Sequence, residues 1–146
     1  MDPYLETLKE NGFKITPLRK AILEVFRERR ATLTVEKLYQ LIRRRIPRAG
    51  LQSVYRNLSD FTKAGIAEEM FIEKRKIAYT LCNGFAVHHH HAVCKQCGRS
   101  EEIKACELEL VSRTLSQAFR NLKKKLGFQV EHHFLQWEGL CRACQK

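Results

Sequence analysis

The sequence predicts an α+β fold built from two modules: a helical N-terminal module ending in a β-hairpin, and a smaller strand–helix–strand module. Two observations support this prediction. Apolar residues recur at helical spacing through most of the first half of the chain. All six cysteines and all six histidines lie after residue 81. The turn dipeptide Asn83-Gly84 separates the two compositions, so we expect modules at residues 1–83 and 84–146, with a hinge at about 82–87.

Start and stop signals define the helices of the first module. A short helix from Tyr4 is expected to end at Gly12, a residue typical of helix C-termini. Thr16-Pro17 combines a capping side chain with proline at the first helical position. Thr34 is the expected cap of the next helix, and the segment Leu51–Ala64 carries a further apolar stripe.

Two short strands follow these helices. They are predicted at Ile66–Ile72 and Ile77–Leu81, on either side of a charged hairpin tip, Glu73–Lys76. Helices followed by a two-stranded hairpin form a winged helix-turn-helix pattern. In that pattern the N-terminal end of the recognition helix, here Leu51–Ala64, enters the major groove of DNA.

The charge balance agrees with a polyanionic partner. The chain has 27 Lys and Arg against 16 Asp and Glu, a formal charge of +11, and residues 1–83 alone have 17 basic and 10 acidic residues. Basic side chains suit phosphates, and amide side chains suit base edges. A solvated basic helix with its tyrosine on the domain surface is the alternative interpretation. The candidate DNA contacts are Lys14, Arg19, Arg45, Gln52, Ser53, Tyr55, Arg56 and Asn57.

The second module is predicted to contain a strand at His88–Val93, a helix from about Ala105 to Lys125 and a strand at Phe128–Trp137. So small a module buries little apolar surface alone. Metal crosslinks and dimer formation would both offset that shortage.

Two Cys-x-x-Cys pairs, separated by 43 residues, are the strongest chemical signal in the chain. Each pair places two thiolates on one turn, and a tetrahedral zinc site needs four such ligands. A redox pair is the alternative for either unit alone, but two units without a βαβ context weaken it. We expect structural Zn(II) bound by Cys94, Cys97, Cys141 and Cys144.

Four consecutive histidines, His88–His91, lie on the predicted strand. Side chains alternate faces along a strand, so one segment could serve two metal sites. A solvated histidine cluster is the alternative. Further donors lie near this run in the predicted fold, although each taken alone could be an ordinary surface or buried group. They are Glu68, Glu69, Cys82, Glu109, His132 and His133.

Other classes of protein are disfavoured. No apolar run approaches the ~20 residues needed to span a bilayer, and no signal region is visible at the N-terminus, so neither membrane insertion nor secretion is expected. No His-Glu-x-x-His or comparable motif is present, so we expect neither enzymatic activity nor a small-molecule substrate. A zinc-binding or storage protein that does not bind DNA is an alternative from another class.

Five short motifs follow one another along the sequence: Lys14–Arg19, Ser53–Leu58, Ala64-Gly65-Ile66, His88–Gly98 and Gly139–Cys144. Their order and combination are highly specific. Together they resemble the ferric uptake regulator (Fur) superfamily of bacterial metal-sensing repressors, over about residues 4–145.

The resemblance implies a cytoplasmic homodimer whose winged helix binds a palindromic operator in double-stranded DNA, and whose C-terminal module dimerises. It assigns the four paired cysteines to structural zinc. It also implies a regulatory metal at the hinge, and positions matching a possible additional site. The implied hinge ligands are Glu68, Cys82, His89 and His91, and the possible additional ligands are His88, His90, Glu109 and His133.

Two departures concern the sensed metal. Many iron and peroxide sensors of the family have a hinge histidine just before the second long helix, where this chain has Ala31-Thr32-Leu33. Cys82, in contrast, matches a cysteine of zinc uptake regulators. A thiolate with imidazoles suits Zn(II) better than Fe(II) or Mn(II). We therefore expect a repressor of zinc-uptake genes, with iron- or peroxide-responsive regulation as the alternative. The sequence does not decide between Glu68 and Glu69, or give a role to Cys106.

Overall fold

The computed structural model describes residues 2–72, 76–83, 89–104, 109–131, 133 and 135–145. It confirms the α+β fold, a winged helix followed by a small α/β module. The helices are α1 (Pro3–Glu10), α2 (Pro17–Arg29), α3 (Val35–Arg43), α4 (Leu51–Lys63) and α5 (Glu109–Leu126), and the strands are β1 (Leu33–Thr34), β2 (Ala67–Ile72), β3 (Lys76–Leu81), β4 (His89–Cys94), β5 (Ser100–Lys104) and β6 (Gln136–Gly139).

The predicted capping residues begin the N-terminal helices. Thr16 accepts a hydrogen bond from the backbone N–H of Arg19 at 3.3 Å, and Thr34 accepts one from Lys37 at 3.3 Å. Gly12 follows α1 with φ +79°, a conformation that favours glycine. The apolar faces of α1 to α4 meet in one buried core, so sequence periodicity and packing agree.

The wing is a three-stranded antiparallel sheet in the order β1-β3-β2. Its hairpin has the predicted strands, with Glu68 opposite Thr80 and Phe71 opposite Ile77. The two-residue strand β1 was not predicted, because so short a segment has no visible alternation. It pairs Leu33 with Tyr79 and thereby ties the helices to the wing.

The second sheet has the order β5-β4-β6, with β4 antiparallel to β5 and parallel to β6. The predicted histidine strand is present. The long predicted strand Phe128–Trp137 is wrong in extent, because among its described residues only Gln136 and Trp137 pair in a strand. β5 was not predicted, and it follows the first cysteine pair directly.

Backbone contacts join the two modules. The N–H of Thr32 donates to the carbonyl of Gly98 at 2.8 Å, and Ala31 forms a β-bridge with Arg99. Gly98 has φ +75°, and a Cβ placed there would lie 3.2 Å from the Thr32 carbonyl oxygen, so glycine suits this close approach. In the part of the chain that is described, no helix has the length and apolar character to cross a membrane.

Candidate metal centres and DNA-binding surface

The four paired cysteines converge at the end of β4. Cys94 is the last residue of β4, Cys97 lies on the turn that follows it, and Cys141 and Cys144 lie on the turn after β6. All four sulfur atoms lie within 4.8 Å of one another. The parallel pairing of β4 with β6, which sets Cys94 opposite Gly139, brings these two turns together.

The spacing of these sulfurs fits a tetrahedral zinc ion. Zn–S bonds of about 2.3 Å imply neighbouring sulfurs about 3.8 Å apart. The Sγ atoms of Cys97 and Cys141 are 3.7 Å apart. Hydrogen bonds from the backbone N–H groups of Cys141 and Cys97 lower the pKa of the Cys94 thiol to about 6. One thiolate is thus favoured at neutral pH, as a metal ligand requires.

A second donor cluster, here called the hinge site, lies where the wing meets β4. It consists of one ligand atom each from Glu68, Cys82, His89 and His91, all within 4.8 Å of one another. His91 Nε2 lies 2.9 Å from Glu68 Oε2 and 4.0 Å from Cys82 Sγ. Strand alternation puts both histidines on the same face of β4, as predicted.

The wing also settles which neighbouring glutamate faces this cluster. Glu68 of β2 points into it, and its hydrogen bond to His91 is the main cause that lowers the pKa of Glu68. Glu69 accepts a hydrogen bond from the hydroxyl of Tyr79 at 2.8 Å. The two carboxylates therefore lie on opposite faces of the strand.

Burial at the hinge site favours a neutral thiol until a cation is present. Cys82 is 2% exposed, and burial, followed by the charges of Glu68 and Glu102, raises its pKa well above the usual range. A bound dication reverses this balance and stabilises the thiolate. The donors fit Zn(II), since one sulfur, two imidazole nitrogens and one carboxylate oxygen make a four-ligand set.

The other ring nitrogens of the two hinge-site histidines also have neighbours. His91 Nδ1 lies 3.4 Å from the Ser100 hydroxyl, and His89 Nδ1 lies 4.0 Å from Glu102 Oε1. Partners of this kind orient metal-binding imidazoles so that Nε2 faces the ion. Ser100 and Glu102 could not be predicted from the sequence, because both lie on β5, a strand that was itself not predicted.

The possible additional site is only partly described. His90 points to the opposite face of β4, where its ring centroid lies 5.5 Å from that of His133. Phe119 and Trp137 pack around this pair. His88 and the side chain of Glu109 lie outside the described residues, as do Cys106 and His132. The structure therefore brings two of the four expected ligands together.

The outer surface of α4 presents polar side chains to solvent. Gln52, Ser53, Tyr55 and Arg56 are exposed, Tyr55 at 41%. The helix starts after Gly50, and its inner face packs in the core. The exposed set is of the type that contacts phosphates and base edges in a major groove.

Two further expected DNA contacts are engaged within the protein. Asn57 is 8% exposed and donates to the carbonyl of Ser53 at 2.6 Å, because it shares the inner side of α4 with the apolar residues. Arg19 pairs with Asp60 at 2.5 Å, so it joins α2 to α4. These placements argue against DNA contacts by Asn57 and Arg19.

The remaining two candidates are more accessible. Lys14 is exposed. Arg45 is one-third exposed and pairs with Glu24 and Glu28 of α2, which partly neutralise its charge. Of these two, Lys14 is thus the better-placed phosphate contact.

A winged helix joined through a donor-rich hinge to an α/β module with four clustered cysteines defines a metal-responsive transcription regulator. A sequence model of the ferric uptake regulator family matches residues 10–138. The chain belongs to this family, which confirms the resemblance of its motifs.

Known relatives of several specificities are similar over nearly the whole chain. The peroxide operon regulator of Bacillus subtilis (strain 168) is 31% identical over 142 residues, covering 97% of this chain and 91% of that protein. The ferric uptake regulation protein of the same organism is 30% identical over 146 residues, covering 99% and 93%. A solved structure of a zinc uptake regulator complexed with zinc and DNA has a TM-score of 0.71 and 25% identity, covering 99% of this chain and 96% of that chain.

Proposed function

We propose that the protein is a cytoplasmic, zinc-responsive repressor that binds palindromic operator DNA as a homodimer when its hinge site holds Zn(II). The observation that carries this proposal is the position of Cys82. Its thiol is buried, and it lies beside two imidazoles and one carboxylate at the junction of the wing and β4. Thiolate and imidazole ligands in a four-ligand set favour Zn(II) over the harder ions Fe(II) and Mn(II).

The location of the hinge site suggests how it controls DNA binding. Glu68 belongs to the wing, Cys82 follows the wing directly, and both histidines belong to β4. A bound metal supplies a positive centre that holds these donors together. Residues on the two sides of the hinge then keep one relative orientation, and the two copies of α4 in a dimer are set at one spacing. The metal must favour that DNA-competent state, since equal affinity for both states would shift nothing.

Two further features support the rest of the proposal. The surface of α4 and the net charge of +11 favour DNA. Exposed apolar side chains on and after α5, among them Leu110 at 79% and Phe128 at 63%, suit an interface with a second copy of the chain. The four-cysteine zinc site would supply folding free energy to this small dimerisation module. Residues 1–83 and 84–146 are the proposed functional units.

An iron- or peroxide-responsive regulator of the same fold is the second candidate. Similarity to the two Bacillus subtilis regulators favours it. In this case Fe(II) or Mn(II) would occupy the hinge site, and Glu102 near His89 offers a further oxygen donor.

The proposal is tested by selecting duplexes from a random library with the protein loaded separately with Zn(II), Mn(II) and, without oxygen, Fe(II). Anisotropy titrations at matched salt then compare the affinities for the selected duplex. We expect the selected duplexes to be palindromic. We also expect tight binding at a far lower free concentration of Zn(II) than of Mn(II) or Fe(II). Tight binding only with iron or manganese would favour the second candidate. No metal-dependent duplex binding would favour a zinc-binding or storage protein.

A further inference from the structure

A chain of hydrogen bonds runs from the helical core of the first module to the edge of the hinge site. It begins at Tyr4 of α1, which is 9% exposed and packs in the apolar core. The Tyr4 hydroxyl donates to Asn83 Oδ1 at 3.0 Å. The backbone N–H of Asn83 donates to Glu102 Oε2 at 2.6 Å. The other oxygen of Glu102 lies 4.0 Å from His89 Nδ1.

Asn83 lies at the centre of this series of hydrogen bonds. Asn83 directly follows Cys82, so a shift of the Cys82 backbone moves both the acceptor of Tyr4 and the donor to Glu102. Glu102 accepts a hydrogen bond from the Asn83 backbone and lies beside the ring of His89, and its side chain is only 12% exposed. Asn83 is thus connected to two hinge-site ligands, to Cys82 through the backbone and to His89 through Glu102.

Tyr4 is firmly fixed at the other end. The guanidinium of Arg27 lies over its ring, 4.9 Å from the centroid, and Arg27 pairs with Asp2, the cap of α1. Tyr4 therefore links α1 and α2, and α2 packs against α3. A displacement at Asn83 is transmitted to a packed helical body rather than to a loose terminus.

We propose that Tyr4 and Asn83 are positioning residues that couple the occupancy of the hinge site to the orientation of the helical body and α4. The inference rests on the proposed function and deepens it. When the donor atoms of His89 and Cys82 are held, Glu102 and the Asn83 backbone are held with them. The Asn83 side chain then fixes Tyr4. Without this link, hinge-site ligands would still bind metal, but they would constrain the helices less.

The test is a double-mutant cycle with Tyr4→Phe and Asn83→Ala, using the full-length, zinc-loaded protein. Tyr4→Phe keeps the buried ring and removes only the hydroxyl. Asn83→Ala removes the side-chain acceptor and keeps the backbone N–H that binds Glu102. Tyr79→Phe is the matched control, because Tyr79 is 6% exposed and donates its hydroxyl to Glu69 rather than to the hinge.

The quantity measured is the zinc-dependent gain in affinity for the selected duplex, the ratio of Kd without and with hinge-site zinc. We expect each single variant to lower this gain about fivefold, the scale of one neutral hydrogen bond. The double variant should lose no more than either single one, since both remove the same bond. Zinc stoichiometry should stay unchanged, and Tyr79→Phe should keep the wild-type gain.

Amide hydrogen exchange provides a readout that does not depend on DNA. Adding hinge-site zinc to the wild-type protein should slow exchange in α1, and the slowing should be smaller in Tyr4→Phe. Three results would each overturn the inference. The zinc-dependent gain in affinity could stay at the wild-type value in Tyr4→Phe, or it could fall equally in Tyr79→Phe. The losses of the two single variants could also add in the double variant. These results would leave the proposed function standing. A wild-type protein with no zinc-dependent gain would instead overturn the proposed function and, with it, this inference.

Discussion

The first prediction concerns the ion pair between Arg19 and Asp60, which joins α2 to α4. Arg19 Nη2 lies 2.5 Å from Asp60 Oδ2, and the two side chains are only 11% and 15% exposed. Arg19 also donates to the carbonyl of Lys14 and lies 5.3 Å from the Phe13 ring centroid. Replacing Asp60 with Ala would leave a largely buried guanidinium without its counter-charge.

The expected cost follows from this burial. Breaking a fully buried pair by removing one partner costs about 3–5 kcal/mol, whereas exposed pairs contribute about 0–1 kcal/mol. The Arg19–Asp60 pair lies between these limits, so we expect Asp60→Ala to lower the free energy of unfolding by about 2–3 kcal/mol. For a chain of this length that is a fall in Tm of about 8–12 °C.

Thermal unfolding of the zinc-loaded protein measures this effect. Arg45→Ala is the control, because Arg45 pairs with Glu24 and Glu28 at a much more exposed position, and we expect it to change stability by less than about 1 kcal/mol. Two results would contradict a stabilising role for this ion pair. One is Asp60→Ala with wild-type stability. The other is Arg19→Ala with wild-type stability but weaker DNA binding at matched salt, which would make Arg19 a DNA contact.

Three further predictions concern DNA, structural zinc and pH. Arg56→Ala should weaken duplex binding and reduce the slope of log K against log salt by about 0.9 in anisotropy titrations, with zinc content unchanged; an unaltered slope would remove Arg56 from the phosphate contacts. Cys94→Ser should unfold or monomerise the protein, as seen by circular dichroism and sedimentation; a stable dimer would contradict the zinc assignment. Because the raised pKa of Cys82 keeps its thiol protonated at neutral pH, zinc must displace that proton. Calorimetry should therefore show hinge-site zinc affinity rising about tenfold per pH unit between about pH 7.5 and 8.5, and this rise should disappear in Cys82→Ser.

Much of the fold could be predicted because its signals are local. Thr16 and Thr34 cap helices through their own side chains, and the periodicity of Leu51–Ala64 requires no information from elsewhere in the chain. The errors lie where pairing partners decide the structure. β5 forms because β4 offers it an edge. Of the described residues after Phe128, those from Gln136 to Gly139 pair in a strand, because β4 runs beside them.

Some features of the candidate sites could likewise be predicted from local sequence, whereas others depend on contacts between distant segments. The spacing within each Cys-x-x-Cys pair is local, so the four-cysteine cluster could be expected from the sequence. Choosing Glu68 over Glu69 required the face of β2 that meets β4, and finding Ser100 and Glu102 required the register of β5. On α4, residue type alone suggested Asn57 as a DNA contact, but helical phase turns it into the core. The ion pair of Arg19 could not be read from the sequence either, because its partner Asp60 is distant along the chain.

Zinc sensing by a hinge site with a cysteine ligand is tested most directly by a cobalt(II) titration without oxygen. The protein keeps its structural zinc, and absorption spectra are compared with those of Cys82→Ser. We expect intense thiolate-to-cobalt charge transfer and tetrahedral d–d bands, both lost in Cys82→Ser. Weak bands without a thiolate signature would mean a nitrogen and oxygen site of higher coordination. That result would contradict zinc sensing through Cys82 and favour the iron- or peroxide-responsive alternative.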